Sequence, residues 1–170
     1  MTTAPDVVTT TGPGTASAEV TVAAPPSVVW EALADPTRMG SWSPEAVGAR
    51  RDDGGTGPAG VGAVFAGRNR SSRGRWSTRC EVTESAPGTS FAFAVSALGG
   101  SPVSHWRFDL TPDGEGTRVV QTWHDARAGL RGVVIRAFGV LVLPGDRAAH
   151  NASTMATTLR RMADDIAVTL

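Results

Sequence analysis

The segment DRAAHNASTMATTLRRMADDIAV, residues 146–168, carries Ala148, Ala152, Met155, Leu159, Met162 and Ile166 at steps of four, three, four, three and four. Those steps place all six on one stripe of a helix of about twenty residues. Pro144-Gly145 breaks the chain just before it, and Asp146 is positioned to cap its first turn. A helix with one apolar face has to bury it, so the rest of the chain must supply the covering layer.

What precedes this helix has a period of two. Glu19 to Ala23 alternates as a first strand would, and Ala24-Pro25-Pro26-Ser27 then leads into a short helix from Val28 to Ala34, with Ser27 as its cap. Asp35-Pro36 ends that helix, because the residue before proline is pushed out of helical space. Arg50 to Gly60 reads as a Gly/Asp loop. Five strand-like runs follow: Gly62–Arg70, Arg75–Glu84, Thr89–Ser96, Val103–Leu110 and Thr117–Asp125. Ser71-Ser72-Arg73-Gly74, Ala86-Pro87-Gly88, Gly99-Gly100 and Pro112-Asp113-Gly114 separate them, all with turn chemistry. The expectation is an α+β domain over residues 18–168, an antiparallel meander curved around the final helix 146–168. Residues 1–17, rich in Thr, Pro and Gly, read as a disordered tail.

Composition narrows the function. The chain has 170 residues, 16 basic and 16 acidic groups, and 41% hydrophobic residues, enough for one domain with a real core. Net charge is zero, which leaves no whole-chain footprint for nucleic acid. Every basic residue is arginine and tyrosine is missing, so Schiff-base lysine and phenol chemistry are excluded. The lone Cys80 excludes an internal disulfide and any metal site built on several cysteines. No metal and no cofactor is expected. The apolar stretch 130–143 contains Arg131 and Arg136 and falls short of the roughly 20 residues that span a bilayer. It reads as an extra helix, either a lid over one end of the fold or a homodimer contact. Without a signal-peptide pattern, the expected location is cytoplasmic.

Several local motifs, in order, resemble the START-like (SRPBCC) superfamily, in its polyketide cyclase/dehydrase and lipid-transport branch. They are Ala24-Pro25-Pro26-Ser27-Val28-Val29-Trp30-Glu31-Ala32-Leu33-Ala34-Asp35, Trp42-Ser43-Pro44, Phe65-Ala66-Gly67-Arg68-Asn69-Arg70, Trp76 with Cys80-Glu81-Val82-Thr83-Glu84, Gly116-Thr117-Arg118-Val119, and Asn151 to Met155 followed by Thr158-Leu159-Arg160-Arg161-Met162. The resemblance covers about residues 18 to 168. It implies a helix-grip fold, a sheet of six to seven strands wrapped around the C-terminal helix, with a hydrophobic cavity between them. Members include aromatase/cyclases, dehydratases and lipid or quinone binders.

Strand alternation sorts side chains onto faces. If Leu110 pairs with Thr117, then Trp106 faces Gln121, Phe108 faces Val119 and Ser104 faces Trp123, all on one side. His105, Arg107, Val120, Thr122 and His124 take the other side, with Asp109 opposite Arg118. If Glu84 pairs with Thr89, Trp76, Thr78, Cys80 and Val82 share the inner face with Phe91, Phe93 and Val95. Phe65, Gly67 and Asn69 follow on the preceding strand. Arg68, Arg70, Arg73, Arg75 and Arg79 then form a solvated convex patch, the alternative being a surface for an anionic partner or ligand phosphate. The histidines fall outside, and no pair of inward carboxylates emerges for acid–base work.

The expected interior is aromatic, with a few amides and hydroxyls. The candidate ligand-binding residues are Trp42, Phe65, Asn69, Trp76, Thr78, Phe91, Phe93, Ser104, Trp106, Phe108, Gln121, Trp123, Asn151 and Met155. Asn69, Gln121 and Asn151 stand out because a buried amide without a partner is costly unless a ligand or water satisfies it. The resemblance places Trp42-Ser43-Pro44 at a cavity-mouth loop, where Asp35, Arg38 and Glu45 are the nearby charges and any proton chemistry would sit. The expected function is binding of a small apolar or aromatic molecule, polyketide-, lipid- or quinone-like. The alternatives are a cyclase/dehydratase-type enzyme in the same cavity, with Asn69, Gln121 or Asn151 polarising a carbonyl, and a protein-interaction domain. An ionisable group lining the cavity (Asp35, Glu45, His105 or His124) would favour the enzyme.

Overall fold

Pro13-Gly14 folds the chain back between strands β1 (Val8–Gly12) and β2 (Thr15–Val22) in the computed structural model, which describes residues 5–128, 137 and 146–169. Proline presets the first corner and Gly14 takes the positive φ of 65° at the second. The expected structureless tail is therefore a paired strand over Val8–Gly12, from Val8 opposite Glu19 to Gly12 opposite Thr15. Its β-branched run of Val and Thr is stiff in the extended form, which composition alone did not weigh.

Helix α1 spans Pro26–Leu33, with proline at its first position and no side-chain cap, so Ser27 lies inside the first turn instead of capping it. Its Val29, Trp30, Ala32 and Leu33 are buried, and the Trp30 indole N–H donates to the Ser90 carbonyl at 3.0 Å. Asp35 then stops the chain. One of its oxygens accepts the Thr37 N–H and hydroxyl at 2.9 and 2.7 Å, and the other accepts the Gly57 N–H at 2.9 Å. A 3₁₀ turn (Pro36–Arg38) and the short α2 (Met39–Trp42) lead to β3 (Ala46–Arg51), a strand where no strand is expected.

The meander continues through β4 (Val64–Arg70), β5 (Arg75–Ala86), β6 (Ser90–Ser96), β7 (Pro102–Asp113) and β8 (Gly116–Asp125). The sheet order is β1-β2-β8-β7-β6-β5-β4-β3, antiparallel throughout. With β1 and β3 added, the sheet has eight strands. Helix α3 (Arg147–Thr169) packs against β1 and β2. Its stripe is buried at Ala152, Met155, Leu159, Met162 and Ile166, with Ala148 partly so. Each fully buried Leu or Met stabilises by roughly 1.5–3 kcal/mol, so this seam holds the layers together. The arrangement is the helix-grip fold. The apolar stretch 130–143, expected as a lid or dimer contact, lies outside the described residues apart from Ala137.

Both expected registers are shifted, by two residues between β7 and β8, and between β5 and β6 by two as far as Val82 and by three from Glu84 onward. Leu110 pairs with Val119, and the tip of the hairpin is Gly114-Glu115 between Asp113 and Gly116. Trp106 therefore faces Trp123, and Phe108 faces Gln121. A shift of two keeps every side chain on its expected face. The expected Asp109–Arg118 pair is replaced by two others: Arg118 forks onto Glu19 of β2 at 2.5 and 2.6 Å, and Asp109 takes Arg107 at 2.8 Å. Between β5 and β6, Cys80 faces Val95 and Ala86 faces Ser90, with Thr83 an extra residue between the Val82–Phe93 and Glu84–Ala92 pairs. That is a β-bulge. Beyond it, Glu84 binds Ser90 and Arg107 on the outer face.

Candidate functional site: a cavity between sheet and closing helix

The concave side of the sheet encloses a cavity of about 600 Å³. Strands β4 to β8 form one wall, Met155 and Thr158 of α3 another, and Leu33, Pro36 and Met39 close it from the side. The aromatic wall is continuous. Phe65 and Phe93 meet edge to face with ring centres 5.4 Å apart, and Phe91 lies 6.1 Å from Phe93. Trp106 and Trp123, cross-strand partners, both face inward, and Trp76 lines the β5 side. Rings like these give a large apolar contact area with few rotamers to freeze.

Polar groups are few inside. Thr78 Oγ1 lies 3.4 Å from Asn69 Nδ2 and 3.8 Å from Cys80 Sγ, and Asn69 Nδ2 also reaches the Gly67 carbonyl at 3.5 Å. Gly67 permits this cluster, since a Cβ there would stand 3.0 Å from Thr78 Oγ1. Burial pushes the Cys80 thiol up to about 11, so it is a neutral wall group at ordinary pH. Ser104 lines the cavity on β7. Gln121 is 4% exposed, and its side chain makes no hydrogen bond to any described residue, with Oε1 wholly buried.

Of the residues expected here, Phe65, Asn69, Trp76, Thr78 and Phe91 line the cavity, as do Phe93, Ser104, Trp106, Gln121, Trp123 and Met155. Trp42, Phe108 and Asn151 do not. The Trp42 ring packs between α2 and α3, its N–H donating to Asp165 at 3.1 Å and its face 5.2 Å from the Arg38 guanidinium. A tryptophan committed on both edge and face is a strut for the helix pair. Phe108 is fully buried core. Asn151 is 1% exposed on α3, its Nδ2 has no hydrogen-bond partner among the described residues, and it stands outside the lining.

The mouth carries charge that strand parity alone left out. Glu45, Arg127 and Arg147 all line the cavity. Ser43 Oγ accepts the Glu45 and Ala46 N–H groups at 3.2 and 2.9 Å, fixing the turn that aims Glu45. The Glu45 carboxylate takes both terminal nitrogens of Arg147 at 2.9 and 3.2 Å, and His150 Nε2 at 2.8 Å. Arg147 and His150 are three apart on the first turn of α3, hence on one face, where the helix dipole also favours an anion. Arg127 forks onto Asp125 at 2.8 and 2.9 Å. Continuing the inward series 121, 123 past the end of β8 would have found Arg127, and stepping back four residues from Asn151 would have found Arg147. Asp35 is spent on its turn, and His105 and His124 face each other on the exposed outer side. Glu45 alone of the four ionisable candidates reaches the cavity.

The family model for polyketide cyclase / dehydrase and lipid transport matches residues 13–164. The chain belongs to this family. A search of curated proteins finds no significant match. Among solved structures, a protein from Chromobacterium violaceum is 16% identical, with 91% of this chain and 98% of that one covered and a TM-score of 0.66. A polyketide-cyclase-like protein from Corynebacterium glutamicum, solved by NMR, is 27% identical over 89% of this chain and 88% of its own, with a TM-score of 0.52. Ara h 8.0201 is 13% identical over 97% of this chain and all of its own, with a TM-score of 0.59. These likenesses confirm the fold. No helix among the described residues is long and apolar enough to cross a membrane.

Proposed function

We propose that this family member binds a small apolar or aromatic molecule, polyketide-, lipid- or quinone-like, between the sheet and α3. The observation that carries the reading is the cavity itself: about 600 Å³, with three tryptophans and three phenylalanines in its walls. A volume in that range holds a molecule of drug-like size, and such sites are mostly apolar with a few orienting polar groups. Asn69, Thr78, Ser104 and Gln121 are those groups here. The reading is tested by native mass spectrometry of freshly purified protein, followed by tryptophan fluorescence titration with whatever co-purifies. Quenching that is weakened in Trp106→Phe supports the cavity. Unchanged quenching in Trp106→Phe, Asn69→Ala and Gln121→Ala alike moves the ligand elsewhere.

A second reading, a cyclase/dehydratase-type enzyme, is favoured by Glu45 in the cavity wall. Its carboxylate is already held by Arg147 and His150, so it enters a proton transfer only by giving up one of them. The binding reading asks for no such exchange and stands first. Turnover of a polyketide-like substrate that is lost in Glu45→Gln with binding retained would reverse that order.

A further inference from the structure

Beside the cavity lies a second, smaller hollow of about 250 Å³, lined by Arg70, Ser71, Ser72, Arg73 and His150, and sharing Glu45 and Thr154 with the cavity. The two spaces therefore adjoin at Glu45 and Thr154. Around that seam stand three arginines (Arg70, Arg73 and Arg147) and His150, against the carboxylate of Glu45. The junction is cationic in a chain whose net charge is zero. The hairpin tip adds to this. Arg70 stands directly opposite Arg75 across β4 and β5, a like-charge pairing that costs free energy unless an anion offsets it.

We propose that the smaller hollow is a head-group site for an acidic oxyanion, carboxylate or phosphate, and that the ligand is an amphipathic acid. Its apolar body occupies the tryptophan-lined cavity and its anionic end lies among Arg70, Arg73 and His150. This rests on the binding reading above and narrows it from any apolar molecule to one charged at one end. Guanidinium forks and hydroxyls suit such a head group, because they donate several hydrogen bonds to one planar or tetrahedral oxyanion.

The test uses the full-length protein and a neutral fluorescent probe, N-phenyl-1-naphthylamine, displaced by decanoate, decyl phosphate or decan-1-ol. The two acids are expected to displace it at roughly tenfold lower concentration than the alcohol at low salt. That gap is expected to close in about 0.5 M sodium chloride. Arg70→Gln combined with Arg73→Gln should narrow the gap, and Arg50→Gln combined with Arg160→Gln, which removes equal charge outside both hollows, should leave it nearly whole. Displacement by all three chains at equal concentration overturns the head-group site while leaving the cavity reading intact. So does a gap that survives the Arg70→Gln, Arg73→Gln variant, or one that the Arg50→Gln, Arg160→Gln variant narrows as much. Failure of the neutral probe to bind at all overturns the cavity reading, and the head-group site with it. Decanoate against decyl phosphate then separates the carboxylate from the phosphate source.

Discussion

Glu45 holds Arg147 through both terminal guanidinium nitrogens, and so ties the entry of β3 to the first turn of α3. The two side chains are 17% and 19% exposed, far enough from bulk water for the pair to count. With His150 on the same carboxylate, the contact works as a clasp across the cavity mouth.

Glu45→Gln is expected to cost about 1–3 kcal/mol, because it removes the charge that two cationic-capable partners share. Urea denaturation measures it. The double variant Glu45→Gln, Arg147→Gln should cost less than the two single losses together, since each single change leaves a stranded partner. Strict additivity would show that the clasp carries no coupling.

Gln121→Leu is expected to make the ligand-free protein no less stable, and up to about 1–3 kcal/mol more so. The amide now stands 4% exposed with no hydrogen bond to a described residue, and a similar-sized apolar side chain removes that burden. Thermal unfolding of the two ligand-free proteins decides it, and a clear fall in melting temperature would mean the amide is already satisfied.

Leu159→Ala is expected to cost about 2–5 kcal/mol, since Leu159 is fully buried at the centre of the α3 seam. Val168→Ala, on the same helix but 88% exposed, should stay within about 0.5 kcal/mol. Equal effects would place the seam elsewhere.

Cys80 gives a pH signature. With the folded thiol pushed up to about 11 by burial, alkylation by iodoacetamide should accelerate with pH through the alkaline range and level off near there. In urea the plateau should fall to about 8.5. The sign for stability follows: between those two values the folded state holds the proton more tightly than the unfolded one. Stability therefore declines as pH rises through that window. A plateau near 8.5 in the native protein would mean that the thiol is solvated.

Much of this molecule is legible in its sequence. The α3 stripe at 152, 155, 159, 162 and 166 is the buried face, and parity alone places Trp106, Gln121 and Trp123 on one inner wall. Parity survives register errors of two because side chains alternate with a period of two. The rest was hidden where periodicity stops. Glu45, Arg127 and Arg147 stand just outside a strand or at the first position of a helix, and their inward aim depends on chain direction rather than pattern. β1 and β3 were hidden for another reason. Threonine, glycine and arginine dominate them, so they lack the apolar alternation that marks a half-buried strand, and pairing to a neighbour holds them extended.

The extra residue at Thr83 sorts charge along a twelve-residue strand. Before it, Trp76, Thr78, Cys80 and Val82 point inward, and uninterrupted alternation would send Glu84 after them. One added residue turns Glu84 outward to Arg107 and Ser90 instead. Insertions and deletions along this strand are therefore not equivalent by length. Two residues gained or lost at the hairpin tip preserve the sidedness of the sheet, and loss of Thr83 alone leaves Glu84 outward directly after Val82, whereas a regular ladder that kept Thr83 would carry a carboxylate into the apolar interior.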